Sequence, residues 1–220
     1  GSIGKPFVTV QAAVDAASGS STTTIAIAAG SYVENLDLAK PVRLWGRCPS
    51  MVELKGKDSL KTPTVVATKP SEVRRVAITG WVAAEAKNSE LTLTETWVHD
   101  LVGVGVHALT ETATAKLTIA KSLVERAHLF GIYPVGAIAT IEDSVVRETL
   151  PRAIDDTAGR GIEAEDIDAT HRTTLTVRRS LIERNHQIGI YVGGSIANVE
   201  ATVVRDTLTQ ASDDRFGRGI

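Results

Sequence analysis

The pattern of hydrophobic and polar positions changes once, near residue 20. Val8–Ala17 (VTVQAAVDAA) has the apolar spacing of an amphipathic helix, and the breaker run SGSSTTT follows it. The chain then alternates apolar and polar residues over short stretches, as in TIAIAAGSYVE and LDLAKPVRLWG. This pattern predicts a short amphipathic helix that caps the first turn of an otherwise all-β chain, so that no sheet edge is left open there. The polar stretch Ser59–Ser71, which contains Pro63 and Pro70, is predicted to be a loop.

Internal repetition is the strongest signal in the chain. When the sequence is shifted by 58 residues, Leu117–Ile162 aligns with Leu175–Ile220 without a gap, and 26 of the 46 aligned positions are identical. SLVERAHLFGIY becomes SLIERNHQIGIY, and DDTAGRGI becomes DDRFGRGI. Such self-similarity indicates a repeat architecture.

A shorter unit lies inside the 58-residue repeat. It is marked by a Ser or Thr before each apolar pair, at spacings of 26, 22, 36 and 22 residues: Thr96, Ser122, Ser144, Ser180 and Thr202. A unit of about 22 residues with insertions suits three short strands and three turns per coil. We therefore predict an all-β fold, a right-handed parallel β-helix. It forms one domain over residues 1–220, with a cap at 1–24 and coils from 25 onward. The sequence stops where the repeat begins a strand, so we expect further coils beyond residue 220.

Aligning the coils places similar residues in columns. Two apolar columns are predicted to form ladders: Leu93, Ile119, Ile141, Val177 and Val199, and Trp97, Leu123, Val145, Leu181 and Val203. A glycine column is predicted to mark tight corners with positive φ: Gly105, Gly131, Gly161, Gly189 and Gly219.

Three columns carry charges whose sign mostly alternates from coil to coil. They are His99, Glu125, Arg147, Glu183 and Arg205; Asp100, Arg126, Glu148, Arg184 and Asp206; and Glu95, Lys121, Asp143, Arg179 and Ala201. Strands in adjacent coils lie about 4.8 Å apart, so opposite charges attract and a slip by one coil would place like charges together. We interpret these columns as devices that fix the register.

Composition narrows the function classes. The chain is 43% apolar but only 4% aromatic, so aliphatic side chains build its core. The net charge of -2 without a clustered basic face argues against nucleic acid. No apolar stretch is long enough for a transmembrane helix. The single Cys48 forms no internal disulfide, and it leaves the redox compartment open.

The N-terminal third resembles a known family. TVQAAVDAA, IAIAAGSYVENLDL and KPVRLWG resemble the first segment of pectin methylesterases and other pectin-lyase-like β-helices. The whole chain is similar to β-helix repeat proteins encoded by secretory bacteria. The resemblance implies the fold and a secreted or cell-surface location. The Gln- and Asp-bearing motifs of the esterases have no counterpart here, since no GTVDFIFG-like stretch occurs and the only glutamines are Gln11, Gln187 and Gln210.

Candidate catalytic residues are few. His99, Asp100 and His107 form the one cluster that does not repeat, and a His-Asp pair suits acid–base chemistry. Tyr133 and Tyr191 share a column with His107 and Glu163. These tyrosines are either an aromatic strip for stacking on sugars or packed turn residues.

Two long excursions, Leu150–Arg160 and Leu208–Arg218, leave every second coil at the same place and are predicted to project side by side. They carry four aspartates and flanking arginines, which we take as candidate ligand-binding residues: Asp155, Asp156, Arg160, Asp213, Asp214 and Arg218. We expect no cofactor; calcium at these aspartates is the one exception that the resemblance leaves open, since pectate lyases bind calcium through carboxylates on adjacent coils. The alternative is that each aspartate caps backbone N–H groups of its own loop.

The sequence favours a non-catalytic scaffold, secreted or displayed on a surface, that binds glycan or protein partners. The alternative is a polysaccharide-active enzyme, a pectate-lyase-like protein or a glycoside hydrolase.

Overall fold

The computed structural model describes residues 1, 4–57 and 61–220, and it is a parallel β-helix as predicted. Its elements are α1 (Val10–Asp15), β1 (Thr23–Ala26), β2 (Gly30–Val33), β3 (Leu36–Leu38), β4 (Val42–Trp45), β5 (Val52–Lys55), β6 (Pro63–Ala67), β7 (Ser71–Arg74), β8 (Ala77–Gly80), β9 (Val82–Lys87), β10 (Glu90–Thr94), β11 (Trp97–Leu101), β12 (Val106–Leu109), β13 (Lys116–Ala120), β14 (Leu123–Glu125), β15 (Phe130–Val135), β16 (Ile138–Glu142), β17 (Val145–Arg147), β18 (Arg160–Glu165), β19 (Thr174–Arg178), β20 (Leu181–Glu183), β21 (Ile190–Gly193), β22 (Ile196–Glu200) and β23 (Val203–Arg205).

Every third strand joins the same sheet, so the chain winds through three parallel sheets in each coil. Sheet 1 has the order β1-β4-β7-β10-β13-β16-β19-β22, and sheet 2 has the order β2-β5-β8-β11-β14-β17-β20-β23. Sheet 3 runs from β3 through β6, β9, β12, β15 and β18 to β21. The predicted columns are one coil apart, as the pairing of Leu123 with Val145 and then Leu181 shows.

The core lies between the three sheets and is built from aliphatic side chains. The first predicted ladder is in it, since Leu93, Ile119, Ile141 and Val177 are fully buried. The second predicted ladder is instead on the outer face of sheet 2, where Trp97, Leu123, Val145 and Leu181 are half-buried and Val203 is exposed. Strand side chains alternate between faces, so the following column points inward: Val98, Val124, Val146 and Ile182.

The glycine column exists, but the reason predicted for it is wrong. Gly105, Gly131, Gly161 and Gly189 do not have positive φ. Glycine is needed at these positions because the backbone of the next coil leaves no room for a side chain. A Cβ on Gly105 would lie 2.1 Å from the carbonyl oxygen of Gly131. A Cβ on Gly161 would lie 2.6 Å from the carbonyl oxygen of Gly189. Close backbone approach, rather than corner geometry, selects glycine here.

The left-handed corners are formed by mostly charged residues. Between sheets 1 and 2, one residue per coil has φ from 47° to 53°: Glu95, Lys121, Asp143, Arg179 and Ala201. At the end of the sheet 2 strands, φ is 51° to 55° in a second column: Asp100, Arg126, Glu148, Arg184 and Asp206.

A hydroxyl ladder follows the first corner. The backbone N–H of Ser122 donates to Ser144 Oγ at 3.2 Å, and the N–H of Ser144 donates to Ser180 Oγ at 3.2 Å. The N–H groups of Thr96 and Ser180 donate in the same way to Ser122 and Thr202. This explains the Ser/Thr column, since a hydroxyl of the next coil satisfies each buried amide.

Charged corner residues pair across coils. Arg126 Nε lies 2.5 Å from Asp100 Oδ1, and Arg184 Nη2 lies 2.9 Å from Glu148 Oε1. On sheet 2, Glu125 and Glu183 are almost fully buried, and arginines of the following coil bind them: Arg147 at 2.6 Å and Arg205 at 2.7 Å. The alternating signs are therefore ion pairs between neighbouring coils.

We expect Glu148→Arg to destabilise the protein. The change removes the pair with Arg184 and places three arginine positions in succession at one corner column. Arg126 and Arg184 have the same left-handed backbone conformation as Glu148, so an arginine at position 148 adds no backbone strain. The loss should be about 1 kcal/mol, or roughly 2–4 °C in melting temperature, and smaller in high salt because exposed charges are screened. Thermal melts of wild type, Glu148→Arg and the neutral Glu148→Gln at two salt concentrations measure it. Equal melting temperatures for all three would reject a role in register.

The N-terminal helix covers the first coil, as the apolar spacing predicts. Thr9 caps it by accepting the N–H of Ala12 at 3.1 Å, and Val10 and Val14 are buried in the same core as the strands. The carboxylate of Glu34 accepts the N–H of Val10 at 2.8 Å. Glu34 therefore fixes the helix start to the first coil.

The predicted loop at Ser59–Ser71 is wrong for 63–67, which form β6, and for Ser71, which begins β7. Residues 61–62 and 68–70 do lie outside the strands, and residues 59–60 lie outside the described part of the chain. Strand β6 runs through this stretch and pairs with β3 and β9. The β-branched run Thr64-Val65-Val66 favours a strand, and Pro63 is tolerated because it is the first residue of β6.

Candidate functional site

One outward-facing column of sheet 3 carries ionisable and aromatic side chains in place of small or aliphatic ones. Strand pairing stacks Glu85 on His107, His107 on Tyr133, and Glu163 on Tyr191. Ile132 and Ile162 pair next to Tyr133 and Glu163 and point into the core. Tyr133 and Glu163 therefore lie on the outer face, one coil apart.

Aromatic rings pack together along this column. The rings of His107 and Tyr133 stack with centroids 5.3 Å apart, and the ring of Phe130 lies 4.6 Å from that of Tyr133. One coil further on, the guanidinium of Arg160 lies over the ring of Tyr191 at 4.5 Å. Such partly exposed rings have the flat apolar faces on which sugar rings stack.

A buried acid lies between the two tyrosines. The side chain of Glu163 is 3% exposed, and Arg160 Nη1 contacts both of its oxygens at 2.6 Å. Burial raises the pKa of Glu163 to about 7, since it outweighs the opposing effect of Arg160 and is reinforced by the negative charge of the nearby Glu165. Glu163 therefore holds a proton in mildly acidic solution, where an ordinary glutamate is ionised.

Glu165 connects this acid to the surface. Its Oε2 accepts the hydroxyl of Tyr133 at 2.7 Å. Burial and this carboxylate raise the pKa of Tyr133, so its phenol stays neutral and donates a hydrogen bond. At the other end of the column, His107 Nδ1 lies 3.3 Å from Glu85 Oε2.

We call this set the acid–aromatic row. Its members are Glu85, His107, Phe130, Tyr133, Arg160, Glu163, Glu165 and Tyr191. The row combines stacking faces, carboxylates that accept hydroxyl hydrogen bonds, and a protonated acid. Sequence reasoning found His107, Tyr133, Arg160 and Tyr191 but missed the three glutamates. The available signal was Glu163, an acid between two tyrosines of one column.

The predicted cluster of His99, Asp100 and His107 is divided between two sheets. His99 and Asp100 do form a pair, with His99 Nδ1 2.7 Å from Asp100 Oδ2, but they lie on β11 of sheet 2. His107 lies on β12 of sheet 3 with Glu85. The turn at Gly103–Gly105 separates the two faces. Residues that are close in sequence on either side of this turn therefore do not form one cluster in space.

The long loops lie side by side, as predicted: the N–H of Ser212 donates to the carbonyl of Asp156 at 3.2 Å. Asp155 and Asp213 cap backbone N–H groups of their own loops. Asp155 Oδ1 accepts the N–H of Thr157 at 3.2 Å, and Asp213 Oδ1 accepts the N–H of Arg215 at 3.1 Å. Asp214 Oδ1 lies 3.5 Å from the hydroxyl of Thr209. These contacts favour turn stabilisation over ligand binding at both loops.

Other candidates have separate environments. The guanidinium of Arg218 lies over the ring of Phe216 at 5.9 Å. Cys48 is a free thiol 3.3 Å from the hydroxyl of Ser50. Within residues 1, 4–57 and 61–220, no group of three or more His, Cys, Asp or Glu is placed to hold a metal ion. Calcium binding at the loops stays an untested prediction.

None of the helices in the described part of the chain combines the length and the apolarity needed to cross a membrane. No protein-family profile matches the chain, and no curated protein is significantly similar to it.

Solved structures of similar fold do exist. Pectin methylesterase PemA from Erwinia chrysanthemi superposes with a TM-score of 0.53 at 13% identity, covering 98% of this chain and 90% of the esterase. A pectin methylesterase variant in complex with a hexasaccharide gives 0.52 at 12% identity, with 96% and 89% covered. The carrot pectin methylesterase gives 0.50 at 14% identity, with 97% and 82% covered. The chain therefore has the right-handed parallel β-helix fold of pectin methylesterases.

Proposed function

We propose that this protein binds a polysaccharide along the outer face of sheet 3, across the acid–aromatic row. The observation that carries the proposal is the packing of Phe130, Tyr133 and Tyr191 with carboxylates on one face. Aromatic faces contact the apolar side of a sugar ring, while Glu85 and Glu165 accept hydrogen bonds from its hydroxyls. A pectin methylesterase of the same fold has been solved with a hexasaccharide, which agrees with a glycan ligand. A secreted or surface location, expected from the resemblance, belongs to the same proposal.

The test is a binding screen on neutral and uronate-containing polysaccharides. For any polysaccharide that wild type binds, we expect Tyr133→Ala and Tyr191→Ala each to weaken binding by about tenfold or more, which is the effect of losing roughly 1.4 kcal/mol of contact. Trp45→Ala is the matched control, because Trp45 is an exposed aromatic residue on sheet 1. Unchanged affinity in both tyrosine variants, or an equal loss in the control, would disprove binding at the row.

A specific observation favours a second function, acid–base cleavage of the bound polysaccharide. Glu163 keeps its proton up to about pH 7, and Glu165, two residues further along the same strand, accepts the Tyr133 hydroxyl. In hydrolysis, Glu163 would give its proton to the glycosidic oxygen as the bond from that oxygen to the anomeric carbon breaks, while water attacks this carbon and passes a proton to Glu165. Product release should then be detectable as new reducing ends. Glu163→Gln should abolish release and keep binding, whereas a wild type that binds without cleaving supports the scaffold alone.

A further inference from the structure

A second feature lies on the other side of the molecule, on the outer face of sheet 2. A cavity of about 330 Å³ opens there over the first coils, between β2, β5, β8 and β11. Its lining includes Ser31, Ser50 and Glu53 as polar residues and Met51 and Trp97 as apolar ones. This volume is near the lower end of the roughly 300–1,000 Å³ of small-molecule pockets. No residue of the acid–aromatic row takes part in it.

His99 also lines this cavity, and its surroundings fix its ring. Trp97 stacks on His99 with centroids 3.7 Å apart, and Trp97 Nε1 donates to Glu125 Oε1 at 3.0 Å. Asp100 accepts from His99 Nδ1 at 2.7 Å and is itself held by Arg126 Nε at 2.5 Å. The His99 ring therefore has one orientation relative to the cavity.

The same contacts decide which ring nitrogen is available. Arg126, together with His99, lowers the pKa of Asp100 to about 2, although burial opposes the shift, so Asp100 is a carboxylate. A carboxylate only accepts hydrogen bonds, so Nδ1 carries the proton of the neutral imidazole and Nε2 is an acceptor. Among the described residues, His99 Nε2 has no hydrogen-bond partner.

We propose that this cavity binds a neutral pyranose unit, with His99 Nε2 accepting a hydrogen bond from one of its hydroxyls. The Glu53 carboxylate, which holds Ser31 Oγ at 2.5 Å, offers a further acceptor, and the Trp97 and Met51 side chains offer apolar contact. Acceptors dominate the polar lining, which suits a ligand rich in hydroxyl donors more than a carboxylate-bearing sugar. The unit is either a free sugar or the end of a longer chain.

The experiment follows the ring signals of His99 by NMR in the whole chain. Methyl glycosides of neutral hexoses are titrated, with glucuronate as the anionic comparator and a neutral hexose trimer for the chain-end source. We expect the His99 Nε2 resonance to shift with neutral sugars, while that of His171, which lies in an exposed loop, stays in place. A stronger response to the trimer assigns the site to a chain end, and an equal response assigns it to a free unit. Either response supports the proposal, whereas no His99 shift with any neutral sugar overturns it.

Glu53→Ala tests the cavity through a residue of its lining. The change removes a carboxylate acceptor that contacts Ser31 and forms no ion pair among the described residues, so the fold should be retained. We expect it to weaken sugar binding by fivefold or more, and Glu90→Ala on sheet 1 to leave binding unchanged. Unchanged binding in Glu53→Ala would overturn the proposal. Polysaccharide binding at the acid–aromatic row should not respond to Glu53→Ala, so the two proposals fail independently.

Discussion

Gly131→Ala should lower the melting temperature by about 10 °C. The added Cβ would lie 2.6 Å from the carbonyl oxygen of Gly161, 2.9 Å from Val146 Cγ1 and 3.0 Å from Thr149 Oγ1. One of these atoms belongs to the backbone of the next coil, so relief requires the coils to separate. Overpacking of this kind costs about 3 kcal/mol, and one kcal/mol corresponds to roughly 2–4 °C in a domain of this size.

Gly19→Ala is the control for Gly131→Ala. No heavy atom lies within 4 Å of a Cβ built on Gly19, so this change should leave the melting temperature within a degree or two of wild type. Calorimetric scans of the two variants measure the difference. Equal melting temperatures would show that neighbouring coils are less closely packed at the glycine column than the geometry implies.

The second large effect is a pH dependence of stability that comes from Glu163. Its pKa rises from 4.5 to about 7 on folding, so the folded state holds a proton that the unfolded chain has released. The resulting stabilisation is fully present below pH 4.5 and is lost as the pH rises through 7. The shift corresponds to about 3 kcal/mol, since each pKa unit is worth 1.36 kcal/mol.

Glu163→Gln isolates this effect, because a neutral amide does not titrate. Urea unfolding of wild type and variant at several pH values gives a difference in unfolding free energy in which the other carboxylates cancel. We expect that difference to move by about 3 kcal/mol against wild type between pH 4.5 and 8. A difference that stays constant with pH would show that Glu163 is an ordinary surface carboxylate.

Glu125→Gln should change the unfolding free energy with pH in the opposite direction to Glu163→Gln. Burial alone would raise the pKa of Glu125, but hydrogen bonds from Arg147, Trp97 and Arg126 outweigh it and lower that pKa. Stability from Glu125 is therefore present at neutral pH and lost as the pH falls. The two difference curves should slope in opposite directions, although both glutamates are equally buried.

The fold and register could be predicted because they depend on repetition. Adjacent coils place equivalent residues side by side, so columns of the sequence become ladders of the structure. Whether a given column points into the core or toward solvent was harder to predict. On sheet 2, the Trp97 and Val98 columns are both apolar, and alternation alone does not tell which of two apolar columns is inside. The inner column consists of β-branched side chains only, namely Val98, Val124, Val146 and Ile182.

The acid–aromatic row was harder to predict because no short segment contains it. Glu163 is unusual only because Tyr133, from the coil before it, and Tyr191, from the coil after, lie beside it. Its raised pKa depends on burial that these coils produce together. By contrast, the loop aspartates looked promising in sequence because they cluster locally, and local clustering is also what turn stabilisation requires.

The hydroxyl ladder gives the solenoid a polarity. The N–H of Ser144 is satisfied only when Ser180 of the following coil is in place, and the N–H of Ser180 depends in turn on Thr202. A coil therefore brings the hydroxyl that its predecessor needs and leaves a new amide for its successor. Duplication of the 58-residue unit creates no mismatched junction, since the inserted segment both supplies and requires the same group. Gene duplication can thus lengthen this protein in whole steps, and each added step would carry another tyrosine and another buried glutamate with its arginine partner into line with the existing ones.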